Sequence, residues 1–217
     1  ASKVHLIRHG SPPEIMSAAY DATINRLKTE YNMHGRIVVG TVARLIHWKG
    51  HHLIIEAAAE AVKKYPELLF VWAGRGTDEF KTNLLRLIKE KGLENNICFT
   101  GWIDRKDIPS FYRCMDIYLH PAIEEPYGFA IAEALMNGVP VASTLTGSTD
   151  LLVNYESGII LPENDTNAIT AALDYFCSDK TRAAKIGLAG QKIALKNHTF
   201  QRMWEEQLDL YRRLVKK

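Results

Sequence analysis

Cysteine is scarce in this chain. Its three residues, Cys98, Cys114 and Cys177, are odd in number and widely spaced, with no Cys-x-x-Cys pair. That argues against a disulfide framework, a zinc site and dithiol redox chemistry. Cys98 lies between Ile97 and Phe99, and Cys177 follows Phe176. Such apolar neighbours suit buried free thiols, and a reducing cytoplasm is their simplest home. No apolar run approaches the roughly 20 residues of a membrane-crossing helix, and the opening residues Ala1 to Arg8 lack the form of a signal peptide. Nor does one sign of charge dominate. The 27 Lys and Arg against 25 Asp and Glu leave a formal net charge of +2, which indicates no general attraction to nucleic acid or anionic lipid. Three chemical signatures are missing as well: the Gly-Lys-Ser/Thr of a Walker loop, the Gly-x-Ser-x-Gly of a nucleophilic serine, and a metal-binding Asp-x-Asp. Internal repeats and low-complexity tracts are absent. The chain begins without Met and its first apolar run starts at once, so it reads as cut from something longer, although Met removal would look the same.

What is present is a globular pattern. A hydrophobic share of 47% against 24% charged, over 217 residues, suits one large domain. Short apolar runs at 4–7, 37–43, 68–73, 97–100, 117–120, 139–143 and 158–161 predict strands, and the segments 53–65, 78–91, 105–113, 129–137 and 150–154 between them predict helices. The strands are apolar in consecutive positions, as when both faces of a sheet are covered. This rhythm predicts an α/β fold: a Rossmann-like parallel sheet flanked by helices. Beyond Pro162 the strands stop, and 166–178, 181–196 and 200–217 read as three helices, the last striped by Trp204, Leu208, Tyr211 and Leu214. The segment 11–31 opens on Pro12-Pro13 and reads as a loop entering a short helix. The expectation is a single domain over 1–217, with its core in 1–162 and a helical tail over 163–217.

Open parallel sheets bind ligands beyond the carboxyl ends of their strands, so the strand-to-helix loops are where chemistry is sought. After the second predicted strand, Arg44 and Lys49 stand five residues apart. They suit a diphosphate clamp, a forked guanidinium with a point charge, or else a solvated basic loop. After the third, Gly74-Arg75-Gly76 allows close approach of a ligand or makes a plain turn, and Glu79 stands where the dinucleotide fingerprint needs its last glycine. After the fourth, Gly101 and Trp102 either read a base edge or cover the sheet end. His120 ends the fifth and faces a cleft or serves the core. His47, His51 and His52 cluster, but no carboxylate completes a His-Glu-x-x-His site, which weighs against metal. The turn around Gly147, rich in Ser and Thr, resembles a helix cap or a second phosphate or sugar loop.

The richest stretch is Glu125-Pro-Tyr-Gly-Phe-Ala-Ile-Ala-Glu133. Pro126 and Gly128 break the backbone, and a helix then begins whose first N–H groups suit a phosphate. On that helix Glu133 neighbours Phe129, Ala130 and Met136. A carboxylate there needs hydrogen-bond donors, which a sugar or ribose diol supplies, unless it is an ordinary solvated helix glutamate.

Together these loops resemble the donor-binding half of a GT-B glycosyltransferase, most closely the retaining family 4 group. The likeness runs from about Val4 to the final helix. It is strongest from Glu125 through Glu133 to Ala142, with support from Gly40, Arg44, Lys49-Gly50, Ala73-Gly74-x-Gly76, Phe99-Thr-Gly101, His120-Pro121 and Arg8-His9-Gly10. The resemblance implies that Arg44 and Lys49 hold the donor diphosphate and steady the leaving nucleotide. It implies that Glu133 binds the ribose hydroxyls, that Glu125 faces the donor sugar, and that Gly128, Phe129 and Ala130 offer backbone N–H groups. The nucleotide sugar, with UDP favoured, is then a substrate, and no cofactor or metal is needed. The acceptor, a saccharide or lipid-linked sugar, belongs to an N-terminal domain that this chain lacks, as does any membrane association. Transfer by the isolated piece is not expected. Two departures stand out. His9 replaces the usual Asn, and Thr146-Gly147-Ser-Thr-Asp150 replaces a common Gly-Gly-x-Pro-Glu. Competing readings are a glycogen-type synthase, a sugar-nucleotide epimerase, a non-catalytic nucleotide-binding module and, more remotely, an NAD-binding domain.

Overall fold

Alternation within single strands builds the molecule. In β2 (Leu68–Ala73), Leu68, Phe70 and Trp72 enter one core while Leu69, Val71 and Ala73 enter another, because successive side chains of a strand point to opposite faces. Both faces are covered by helices, which accounts for the consecutive apolar residues. The computed structural model describes residues 4–16 and 20–215. Within them β1 (Ile37–Val42), β2, β3 (Ile97–Gly101), β4 (Ile117–His120), β5 (Val141–Thr144) and β6 (Ile159–Leu161) form a parallel sheet in the order 3-2-1-4-5-6. Helices α2 (His51–Lys64), α3 (Asp78–Glu90) and α6 (Thr166–Cys177) cover one face. On the other lie α1 (Asp21–Glu30), α4 (Ile108–Tyr112) and α5 (Phe129–Met136), and α7 (Lys180–Asn197) reaches both cores. This is the Rossmann-like arrangement that the sequence predicts.

The strand order reverses between β1 and β4. These neighbours pair Val39 with Ile117 and Gly40 with Tyr118, and Gly40 leaves the space into which the Met115 side chain packs, since a Cβ there would lie 2.1 Å from the Met115 Sδ. The chain leaves β1 toward β2 and leaves β4 toward β5, opening a crevice between the two loops.

Several boundaries differ from the sequence reading. Residues 4–7 form no strand: Val4 and Leu6 are 81% and 77% exposed. Both sides of β1 are already occupied, and the segment runs on to Ser11, whose N–H donates to His198 O (2.9 Å) while Phe200 N–H donates to Ser11 O (3.0 Å). The strand expected from 139 starts at Val141, after Pro140, which has no N–H to donate. The helix expected over 105–113 shrinks to α4, with Pro109 in its first turn. Over 150–154 there is only a 3-10 turn, Thr149–Leu151. The segment 11–31 holds the 3-10 turn Pro13–Met16 and then α1, with 17–19 outside the described residues. The final helix, α8 (Phe200–Val215), buries no side chain, and Phe200, Trp204, Tyr211 and Leu214 are exposed along it. No helix among the described residues is long and apolar enough to cross a membrane.

Candidate functional site

The β1–α2 and β4–α5 loops are fastened to each other. Thr41 Oγ1 donates to Leu119 O (2.9 Å), Ile123 N–H donates to Trp48 O (2.8 Å), and Gly50 sits so close that a Cβ would lie 2.2 Å from Pro121 O. This fastening brings Lys49 to Glu125. The ammonium donates to Glu125 Oε2, and His120 Nε2 lies 3.2 Å from the same oxygen. The pair is nearly enclosed, with Lys49 and Glu125 side chains 11% and 15% exposed. Burial alone would raise the Glu125 carboxyl, but the hydrogen bonds from His120 and Lys49 prevail and hold it at about 2. Burial pushes the His120 imidazole below its ordinary value, with Glu125 opposing. On its other side His120 Nδ1 lies 3.3 Å from the Tyr118 hydroxyl. Arg44, by contrast, is exposed, and its guanidinium has no hydrogen bond or ion pair among the described residues.

Glu133 lies on α5, and its Oε2 accepts from the Tyr112 hydroxyl at 2.9 Å. Burial raises the Glu133 carboxyl, while Tyr112 and more distantly Arg105 lower it. Tyr112 is fully buried, and burial followed by the Glu133 charge pushes its hydroxyl well above the ordinary tyrosine value. The donor that this carboxylate requires is thus partly supplied by the protein, through a tyrosine that the sequence presents only as one more apolar residue of a short helix. Replacing Tyr112 by Phe is expected to cost about 1–2 kcal/mol of stability, because an enclosed carboxylate loses its partner; urea unfolding at pH 7 checks this.

The start of α5 carries the partial positive charge of a helix N-terminus. Gly128 takes φ 82°, ψ 55°, a left-handed conformation that favours glycine, and the first turn leaves the N–H groups of Phe129 and Ala130 without intrahelical partners. The hydroxyl-rich turn supports this loop. Thr146 Oγ1 donates to Tyr127 O (3.1 Å) and Ser148 Oγ to Gly128 O (3.1 Å). Asp150 pairs with Arg8, and the His9 ring meets Tyr127 and Phe129 at 5.2 and 5.4 Å.

The remaining expected residues divide. Gly74, at φ 148°, would place a Cβ 1.9 Å from Ala43 O, and Gly76 and Gly147 would place theirs 2.1 Å from Leu45 O and 2.3 Å from Pro126 O. Chain crossings therefore account for glycine at all three without a ligand. Gly101 accepts from Gly74 N–H (2.8 Å) at the end of β3, and Trp102 beside it is 66% exposed, free to meet a flat ring. Of the clustered histidines, His47 and His52 stack at 4.5 Å while His51 packs edge-on against Trp72. Among the described residues no group of three or more His, Cys, Asp or Glu is placed to hold a metal ion.

The crevice is therefore edged by an enclosed Lys49–Glu125 pair, an exposed Arg44 from the same loop, and the start of α5, with a second carboxylate, Glu133, further along that helix. The family model described as Glycosyl transferases group 1 matches residues 24–193. Curated relatives include the capsular polysaccharide biosynthesis glycosyltransferase CapM of Staphylococcus aureus, 27% identical over 99% of this chain and 57% of its own length. Another is the GDP-mannose-dependent alpha-(1-6)-phosphatidylinositol monomannoside mannosyltransferase of Mycolicibacterium smegmatis, 28% identical over 79% of this chain and 47% of its own. The chain spans about half the length of these relatives. Among solved structures, the C-terminal domain of the glycosyl transferase group 1 family protein LpcC from Francisella tularensis superposes with a TM-score of 0.78 at 28% identity, over 88% of this chain and 99% of that one. Anabaena Alr3699/HepE, solved in complex with UDP and glucose, shares the fold with a TM-score of 0.86 at 23% identity, over 94% of this chain and 55% of that one. By a match over most of its length, this chain belongs to the Glycosyl transferases group 1 family, with the fold of a C-terminal domain of GT-B glycosyltransferases.

Proposed function

We propose that this chain is the donor domain of a retaining glycosyltransferase, binding a nucleoside-diphosphate sugar, UDP-linked by preference, for transfer to a saccharide or lipid-linked acceptor. The observation that carries the reading is the meeting, at the reversal of strand order, of Lys49 from the β1–α2 loop with Glu125 of the loop that leads into the helix bearing Glu133, while Arg44 leaves the same end of β1. Arg44 and Lys49 take the diphosphate, aided by the Phe129 and Ala130 N–H groups. In the transfer these groups stabilise the negative charge that grows on the departing nucleotide. Glu133, oriented by Tyr112, accepts from the ribose hydroxyls, and Glu125 from the sugar. Gly101 and Trp102 flank the base. UDP is favoured because a protein of this fold was solved with UDP and glucose; GDP is the second choice, from the relative named as GDP-mannose-dependent. The acceptor site belongs to sequence outside this chain, which alone binds donor without transferring it. The reaction site lies in the cytoplasm and needs no metal.

Calorimetric titration with UDP, GDP and ADP, with and without magnesium, tests this. One nucleotide is expected to bind in the micromolar range, insensitive to magnesium, and Arg44→Ala is expected to weaken it about tenfold or more, as loss of a charge-assisted contact does. A folded chain that binds none of the three, or binds equally well after Arg44→Ala and Glu133→Ala, would sink the proposal. A strict need for magnesium would remove its metal-free part.

A further inference from the structure

Of the two cations at the end of β1, one is open and the other is engaged. Arg44 stands exposed, while Lys49 is turned into the enclosed contact with Glu125. An ionised carboxylate can only accept hydrogen bonds. His120, sharing Glu125 Oε2 at 3.2 Å, must therefore carry its hydrogen on Nε2. A neutral imidazole then has only a lone pair on Nδ1, and the group facing that lone pair is the Tyr118 hydroxyl at 3.3 Å. The Tyr118 oxygen is in turn approached by the Val42 N–H at 3.4 Å, and its one hydrogen has two acceptors within reach, Val42 O and His120 Nδ1, both at 3.3 Å. Tyr118 and His120 are both buried.

We propose that Glu125 is a latch on Lys49, held in place by the Nε2–H of His120, and that it opens fully only to a ligand carrying a diphosphate and a sugar together. This rests on the donor-site reading above. The diphosphate meets Arg44 first and then draws Lys49 away from Glu125. The carboxylate is left enclosed with one donor, a costly state, unless sugar hydroxyls take the place of the ammonium. A free nucleoside diphosphate lacks those hydroxyls and therefore binds against the latch. The device discriminates the intact donor from the nucleotide left after transfer, which eases release of that nucleotide.

The test compares the 217-residue chain with its Glu125→Gln variant, using inorganic pyrophosphate, UDP, GDP, UDP-glucose and GDP-mannose as calorimetric probes. Glutamine keeps the shape and still accepts from His120, but it offers Lys49 no charge. The variant is expected to bind pyrophosphate and the preferred nucleoside diphosphate about tenfold tighter, and to lose the preference for the sugar-bearing form. If the wild type binds a nucleotide and Glu125→Gln leaves pyrophosphate and nucleotide affinity unchanged or weaker, the latch is wrong and the donor site stands. If neither folded protein binds any probe, both fail. The hydrogen bond that His120 gives Glu125 has its own readout in the nitrogen NMR signals of that ring. The wild type should show the Nε2–H form; a wild-type Nδ1–H form would overturn the latch geometry.

Discussion

Lowering the pH from 7 to 4.5 is expected to remove up to about 5 kcal/mol of folding stability, a large share of the roughly 5–15 kcal/mol typical of a domain. The cause is buried histidine. His51 is fully buried and neither ring nitrogen has a hydrogen-bond partner; burial first, then nearby His120, His52 and Lys49, hold it at about 3. His198 is 1% exposed, bound through its two nitrogens to Ser11 Oγ (3.0 Å) and the Tyr127 hydroxyl (2.8 Å). Burial, then Arg202 and His9, hold it at about 4. In the unfolded chain both protonate near ~6.5. Below that point the unfolded state binds more protons than the folded one, so stability falls with pH, down to about 4 for His198 and about 3 for His51. Each group costs about 1.4 kcal/mol per pH unit inside its window. His120, also depressed by burial, acts in the same sense. Glu125 acts elsewhere. Its stabilising contribution is complete above its unfolded value near ~4.3 and is lost only as pH falls toward about 2. Urea unfolding at pH 7.0, 5.5 and 4.5 reads the slope, which His51→Leu and His198→Gln should each reduce. An unchanged slope in both variants would place the acid sensitivity in other groups.

His51 also marks where sequence reading stops. As one of three clustered histidines it raised a metal reading that the missing carboxylate weighed against, but which of the three serves the core shows only in the packing of its ring on Trp72. The fold was legible because strands covered on both faces are apolar throughout, and helices between them announce crossovers. The run at 4–7 misled because pairing depends on a free neighbour in the sheet, which no local pattern encodes. The site was legible in part because its charged residues leave strand ends, where the topology gathers them. Its internal wiring was not. Lys49 and Glu125 are 76 residues apart, and Tyr112 and Tyr118 look like any aromatic core residues until their hydroxyls are seen on Glu133 and beside His120. Gly74, Gly76 and Gly147 looked like openings for a ligand, yet each sits where the chain crosses its own carbonyls.

The Lys49→Met variant should be less stable than the wild type by about 2–4 kcal/mol at pH 7, since breaking an enclosed ion pair leaves a charge without its partner. Two features keep the loss below that of a fully dry pair. The side chains retain 11% and 15% exposure, and His120, 3.2 Å from the same oxygen, can take up a proton and replace the lost cation. In the variant, therefore, the pKa of His120 should rise above its unfolded value, the reverse of its depression in the wild type. A base raised in this way contributes stability that is fully present below ~6.5 and is lost as pH rises through the folded value. The deficit of Lys49→Met should be small at pH 6 and largest near pH 8.5, while the effects of His51 and His198 cancel between the two proteins. Unfolding free energies at both pH values, with an NMR titration of the His120 ring, decide the matter. A deficit independent of pH, with His120 still neutral at pH 6, would mean that Lys49 does not govern the charge at Glu125. Pyrophosphate binding separates position from charge in the same variant: if His120 alone restores the charge balance, stability recovers at low pH but affinity for pyrophosphate does not, because the cation then stands on the buried side of the carboxylate.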